Sequence, residues 1–128
     1  MTLFSKIIKG EIPCQKIAET EEFFAFLDIN PVQPGHTLVV PKREEDYIFN
    51  LHDTEISGLM VFAKKIAHAI QTATGCTKVA VTVIGLEVPH AHVHLIPINK
   101  EGDLDFKHKS TPSPEELLEM AEKIRRVL

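Results

Sequence analysis

Apolar residues change their spacing several times along the 128-residue chain, and each change marks an element. Between Thr54 and about Ala73, Ile56, Leu59, Met60, Ala63, Ile66, Ala67 and Ile70 recur at three- and four-residue intervals, which aligns them on one stripe of an α-helix. Asp53 or Thr54 is its expected cap, and Gly75 its expected stop. A second helix opens on Ser113, with Pro114 at the first helical position and Glu116 completing a capping box. Its apolar positions are Leu117, Leu118, Met120, Ala121, Ile124 and Val127, and Lys123, Arg125 and Arg126 suit the negative end of its dipole.

Elsewhere the apolar runs are short, β-branched or aromatic, as strands require. "FFAFLDI" (Phe23 to Ile29) and "HTLVVP" (His36 to Pro41) are separated by the turn formers Asn30-Pro31 and Pro34-Gly35, and predict an antiparallel pair. "KVAVTVIG" (Lys78 to Gly85) and "HAHVHLIPI" (His90 to Ile98) predict a second pair. "NKEGDLDFKHKSTPSP", polar and rich in turn formers, reads as a loop. The expected fold is α+β: a single domain over residues 1–128, with one antiparallel sheet, a long central helix and a C-terminal helix packed on it.

Composition narrows the function classes. The chain is 44% hydrophobic and 25% charged, with 14 basic against 18 acidic residues and a net charge of −4. That balance argues against a surface gripping nucleic acid or an acidic membrane by bulk charge. The opening stretch "MTLFSKIIKGEIP" breaks its apolar residues with Lys6, Lys9 and Glu11, so it lacks a secretory core of about 7–15 apolar residues. No run is long enough to span a bilayer. Cys14 and Cys76 form no C-x-x-C pair, so free thiols in a reducing cytoplasm are expected.

One stretch carries chemistry. "PHAHVHLIP" (Pro89 to Pro97) puts imidazoles at every second position of an apolar run. On a strand, His90, His92 and His94 share one face and Ala91, Val93 and Leu95 the other. On a helix, residues two apart would scatter the rings about 200° apart. Three polar rings on one face without partners would cost several kcal/mol, about 1–3 kcal/mol for each unsatisfied group, so the row is expected to serve a ligand. Spread over about 13 Å of strand at about 3.3 Å per residue, all three could hardly meet one metal ion. A metal would need two of them with help from His36, Asp28 or Glu87. Used as histidines, they supply a nucleophile flanked by acid and electrostatic groups, and His92 alone is flanked on both sides. A phosphorus centre is the expected electrophile, because it gains most from clustered positive charge.

"HAHVHLIP" resembles the signature of the histidine-triad (HIT) family of nucleotide-binding hydrolases and transferases, His-x-His-x-His followed by apolar residues. The likeness extends to "LFSKIIKGEIP" (Leu3 to Pro13) and to "FFAFLDINPVQPGHTLVVPK" (Phe23 to Lys42), nearest to the small bacterial and nucleoside phosphoramidate hydrolase branch. It implies about five strands, and that His92 attacks the α-phosphorus of a nucleotide and is transiently nucleotidylated while His90 and His94 orient it and assist proton transfer. His36 matches a fourth family histidine, and Asp28 the acid that binds ribose hydroxyls. Phe4, Ile7, Phe26, Ile29 and Leu38 match the pocket around the base.

Before the triad, where the family usually has polar phosphate-holding groups, this chain has the shortened "VIGLEVPH". There Gly85 can bring backbone N–H groups to an anion, whereas Glu87 is expected to turn to solvent. The zinc-binding members' Cys-x-x-Cys is missing, so neither a structural zinc nor any other cofactor is expected. The resemblance further implies a cytoplasmic homodimer joined through the central helix and a sheet edge, acting on a purine nucleotide or nucleoside phosphoramidate. Two alternatives stay open: hydrolysis of dinucleoside polyphosphates, and nucleotide binding with little turnover.

Overall fold

A computed structural model describes residues 1–128. Its elements run α1 (Leu3–Ile8), β1 (Lys16–Glu19), β2 (Phe23–Leu27), β3 (Thr37–Pro41), α2 (Asp53–Thr74), β4 (Lys78–Thr82), β5 (Val93–Ile98) and α3 (Pro114–Arg126), with short 3-10 turns at Ile48–Asn50 and Glu101–Asp103. The five strands form one antiparallel sheet in the order β1-β2-β3-β5-β4. This is the α+β architecture expected from the apolar pattern. No helix is long and apolar enough to cross a membrane.

Strand alternation sorts the side chains to two faces. Phe23, Ala25 and Leu27 of β2, Val39 of β3, and Val93 and Leu95 of β5 join Leu59, Ala63, Ile66 and Ile70 of α2 and Ala121 and Ile124 of α3 in the main core. Phe24 and Phe26, with Leu38 and Val40, turn to the opposite face and pack with Phe4 and Ile7 of α1. Gly58 lets α2 approach the sheet, since a Cβ there would lie 3.0 Å from the Phe23 ring.

The ends of the helices follow their caps. Ser113 Oγ accepts the Glu116 N–H at 3.2 Å and Glu116 Oε1 accepts the Ser113 N–H at 2.9 Å, the expected capping box of α3. Gly75 ends α2 in the left-handed region at φ +70. At the other end of α2 the expected cap moves by one residue: His52 is the N-cap, and its N–H donates to Glu55 Oε1 at 3.0 Å. Met60, placed on the core stripe by its spacing, is instead exposed beside Val61.

Two short elements go beyond the sequence pattern. Helix α1 has six residues and β1 four, too few for a period to show. Helix α1 matters most here, because it covers the face of the sheet that carries the histidines.

Candidate active site

Strand β5 begins at Val93, so His94 alone of the three histidines lies within a strand, paired with Leu38 of β3. His90 and His92 sit on the extended segment leading into it. Alternation nevertheless holds, for Ala91, Val93 and Leu95 are all in the main core. The segment is braced from the side, where the Ala91 N–H donates to the Glu45 carbonyl at 2.6 Å.

The three rings are not equivalent, which corrects the picture of a row lining one groove. His92 and His94 line a cavity of about 440 Å³, their ring centroids 4.8 Å apart. His90 lies behind them, fully buried at 0% exposure, with Nε2 2.7 Å from the Pro41 carbonyl and Nδ1 2.7 Å from Thr2 Oγ1. Its carbonyl in turn stands 2.8 Å from His92 Nδ1. A carbonyl only accepts, so His92 carries its proton on Nδ1 and leaves the Nε2 lone pair free. Every buried side-chain nitrogen and oxygen has a partner, yet His92 Nε2 and His94 Nε2 have none within the protein. Both atoms are therefore open to solvent, and the cavity is the space their rings line.

A second chain of hydrogen bonds fixes His94. The Val32 N–H donates to His36 Nδ1 at 3.0 Å, so the neutral His36 ring holds its proton on Nε2. That proton faces His94 Nδ1 at 2.9 Å, and His94 consequently presents an Nε2–H donor. Burial and the neighbouring His94 ring push His36 down to about 3, and burial with the neighbouring His92 ring pushes His94 down to about 4. His92 is also lowered, by burial first, with its hydrogen bond to the His90 carbonyl and then the carboxylates of Asp28 and Glu87 partly opposing. At neutral pH the site holds a free nucleophilic nitrogen beside a neutral N–H donor. His94 therefore brings none of the clustered positive charge expected of the triad.

The same bonds bear on metal binding. Ligand atoms of Asp28, His36 and His94 lie within 4.8 Å of one another. However, the Val32 N–H occupies the one lone pair that neutral His36 offers, so metallating Nε2 would mean breaking that bond or removing a second proton. The donor set suits a hydrogen-bond relay better than an ion.

Of the other expected site residues, Phe4, Ile7, Phe26, Leu38, Ile29 and Asp28 all line the cavity with His92 and His94. Phe4 meets the His92 ring edge-on at 5.0 Å. The Asp28 carboxylate accepts the Asn30 N–H at 2.9 Å through Oδ1 and stands 3.7 Å from His36 Nε2 through Oδ2; burial raises it above the usual carboxylate range. Glu87 is exposed, as expected, and also stands on the cavity wall. Gly85 is not brought in: it has φ +71 and lines a separate apolar cavity with Phe49, Met60, Ile84 and Leu86.

Sequence reasoning missed the contribution of the C-terminal loop. Phe106 packs edge-on against His94 at 5.2 Å and against His36 at 6.2 Å. Lys109, the only lysine or arginine on the cavity wall, carries its Nζ 5.9 Å from the Phe106 ring centre. Ser110 and Thr111 complete the wall, and the Ser110 N–H ties the loop down on the Pro31 carbonyl at 3.0 Å. The signal was present as an aromatic residue and a lysine inside an otherwise polar loop. Cys14 and Cys76 are both free, as expected, and Cys14 also lines the cavity.

A sheet carrying two open imidazoles above an apolar, carboxylate-edged cavity defines a class of proteins, and comparison with known chains specifies it. Residues 9–101 match the model of the HIT domain. The adenosine 5′-monophosphoramidase of Schizosaccharomyces pombe is 38% identical over 125 residues, covering 95% of this chain and 94% of that one. Among solved structures, a HIT-like protein from Bartonella henselae superposes with a TM-score of 0.88 at 30% identity, covering 99% of this chain and 96% of the other. A histidine triad nucleotide-binding protein from Sulfolobus tokodaii gives 0.87 at 27% identity, over 97% and 89%. The chain belongs to the HIT family.

Proposed function

We propose that the protein is a nucleotidyl hydrolase of the phosphoramidase type that works through a covalent His92 intermediate. The observation that carries this reading is the His90 carbonyl bound to His92 Nδ1, which leaves Nε2 unprotonated and facing the cavity. Attack by Nε2 on the α-phosphorus forms an N–P bond as the P–N bond of a nucleoside phosphoramidate breaks, and the leaving nitrogen takes one proton from solvent and departs as the amine. Water then adds to phosphorus, the N–P bond breaks, and the electron pair returns to His92. The proton released by water replaces the one the amine consumed.

The rest of the cavity supports the same reading. Phe4, Ile7, Phe26, Ile29 and Leu38 offer apolar surface to a purine, and Asp28 can accept two hydrogen bonds from a ribose diol. In this reading His94 Nε2–H and Lys109, both on the cavity wall, meet non-bridging phosphoryl oxygens, the first as a neutral donor and the second as a cation. His36 acts through His94, and His90 through His92. Neither Gly85 nor Glu87 has a phosphate-holding part in this reading. The S. pombe relative's activity favours a phosphoramidate over a dinucleoside polyphosphate.

A homodimer is part of the proposal. Strand β4 is a sheet edge with Val81 exposed, and Tyr47, Phe49 at 72%, Val61, Ile84 and Leu86 at 89% stand uncovered around it and α2. The test of function is steady-state hydrolysis of adenosine 5′-phosphoramidate and of diadenosine tetraphosphate, each with and without a chelator. Chelator-insensitive release of ammonia from the first, faster than cleavage of the second, is expected. Binding of adenosine monophosphate without turnover of either would overturn the proposal in favour of a binding protein.

A further inference from the structure

The hydrogen bonds behind His90 do not stop at Thr2. Thr2 Oγ1 lies 2.7 Å from His90 Nδ1 and 3.1 Å from Ser5 Oγ, and Ser5 Oγ donates to Glu44 Oε1 at 2.5 Å. Glu44 Oε1 also accepts the Thr2 N–H at 3.0 Å, and Thr2 Oγ1 accepts the Ser5 N–H at 3.1 Å as the N-cap of α1. We propose that Thr2, Ser5 and Glu44 form a positioning relay that holds the His90 ring in place and, through the His90 carbonyl, sets the placement of the nucleophile His92.

Counting hydrogens assigns each proton of the relay. The Ser5 hydroxyl proton goes to the Glu44 carboxylate, so Ser5 Oγ has none left to give Thr2. His90 Nε2 faces a carbonyl and must hold a proton, so neutral His90 has a bare Nδ1 and Thr2 Oγ1 donates to it; with that one hydroxyl proton spent on the ring, Thr2 is tied to Ser5 and Glu44 through the Ser5 N–H it accepts and its own N–H. Both ring nitrogens are thereby held, one by the end of β3 and the other by the start of α1. Were Nδ1 protonated, the Thr2 hydroxyl would turn to Ser5 and every donor from ring to carboxylate would point the same way. Thr2 Oγ1 stays against Nδ1 whichever way its hydroxyl turns. This matters when His92 is nucleotidylated, because the ring then bears both a phosphoryl group and Nδ1–H, and its positive charge rests on the His90 carbonyl at 2.8 Å. None of the three residues lines the cavity, so they act through His90 alone.

The proposal rests on the reading of His92 as nucleophile, and its test has one readout independent of substrate. Imidazole ¹⁵N spectra of the full chain are recorded for wild type, Thr2→Val, Thr2→Ser and Glu44→Gln. Thr2→Val is expected to shift the His90 Nδ1 resonance and to mix the single His92 tautomer, with Thr2→Ser restoring both and Glu44→Gln giving a smaller change. With adenosine 5′-phosphoramidate, Thr2→Val should lower kcat about tenfold or more while leaving KM unchanged, as misplacement of a reacting group does. A merely structural role would lower the melting temperature without altering the His92 tautomer. Unchanged His90 and His92 spectra in both Thr2→Val and Glu44→Gln would overturn the relay. If no substrate turns over, the spectra still decide, and only the hydrolase reading falls. If Thr2→Val fails to fold, the exposed Glu44→Gln variant carries the same test.

Discussion

Adjacent residues of the same strands meet different surroundings on the two faces of the sheet. On one side, Val39 and Val93 join a 17-residue core closed by α2 and α3. On the other, Leu38 and Val40 belong to a cluster of only 6 buried apolar residues under the short α1, and much of the remaining burial there is imidazole. The first face is sealed and apolar but for Thr37, whose hydroxyl donates to the Gly35 carbonyl; the second is thin, open at the cavity and held by polar bonds. Packing of the first fixes the backbone, and the backbone aims the histidines of the second, since Ala91, Val93 and Leu95 anchor the residues between them. Stability and chemistry are thus divided by strand parity, and substitutions on the two faces should separate them.

The widest separation is expected from His92→Ala. Removing the proposed nucleophile should lower phosphoramidate turnover by about a thousandfold or more, while thermal melting shows a folded protein. Leu59→Ala, on the sealed face, should do the reverse. It deletes a fully buried side chain and should cost about 2–5 kcal/mol in urea unfolding, with kcat per folded molecule unchanged. An equal loss of activity from Leu59→Ala under native conditions would break the division.

A smaller effect is expected at the mouth of the cavity. Lys109→Met should reduce kcat/KM about tenfold, close to 1.4 kcal/mol, and flatten its dependence on salt. Because Lys109 is exposed, stability should stay within about 0.5 kcal/mol of wild type. Phosphoramidate kinetics at two ionic strengths and a urea titration check both statements.

Smallest near neutrality is the effect of pH, and its sign is fixed. His92, His36 and His94 are all lowered in the folded protein, so the unfolded chain takes up protons first as pH falls below about 6.5. Their contribution to stability is complete above that value and declines as pH falls towards the folded values, about 4 for His94 and about 3 for His36. Asp28, raised on folding, works in the opposite sense and reduces the net effect. Melting temperature should therefore hold from pH 8 to 7 and fall progressively below 6. The acid limb of kcat/KM should lie below 6.5, because the proposed mechanism uses His92 as the free base.

Local rules made much of this architecture legible in the sequence. Ser113-Pro114-x-Glu116 announced α3, the spacing of Leu59, Ala63, Ile66 and Ile70 announced α2, and period two placed Ala91, Val93 and Leu95 in the core opposite the imidazoles. What escaped depended on contacts between distant parts of the chain. Thr2 and Glu44 are 42 residues apart and meet only because α1 folds over the end of β3. Lys109 and Phe106 sit in a segment whose composition signals a loop, and composition does not say where a loop returns. The different fates of His90 and His92 are likewise set by Pro41 and Thr2, so alternation alone made the two rings look equivalent.

The central claim is that His92 Nε2 bonds to phosphorus during turnover. Rapid quenching of wild type mixed with adenosine 5′-phosphoramidate, followed by intact-mass analysis and peptide mapping, tests it directly. A mass increase of one adenylyl group, mapped to His92 and missing in His92→Ala, is the predicted result. Hydrolysis by wild type with no adduct at the earliest quench times, together with full activity of His92→Ala, would contradict it.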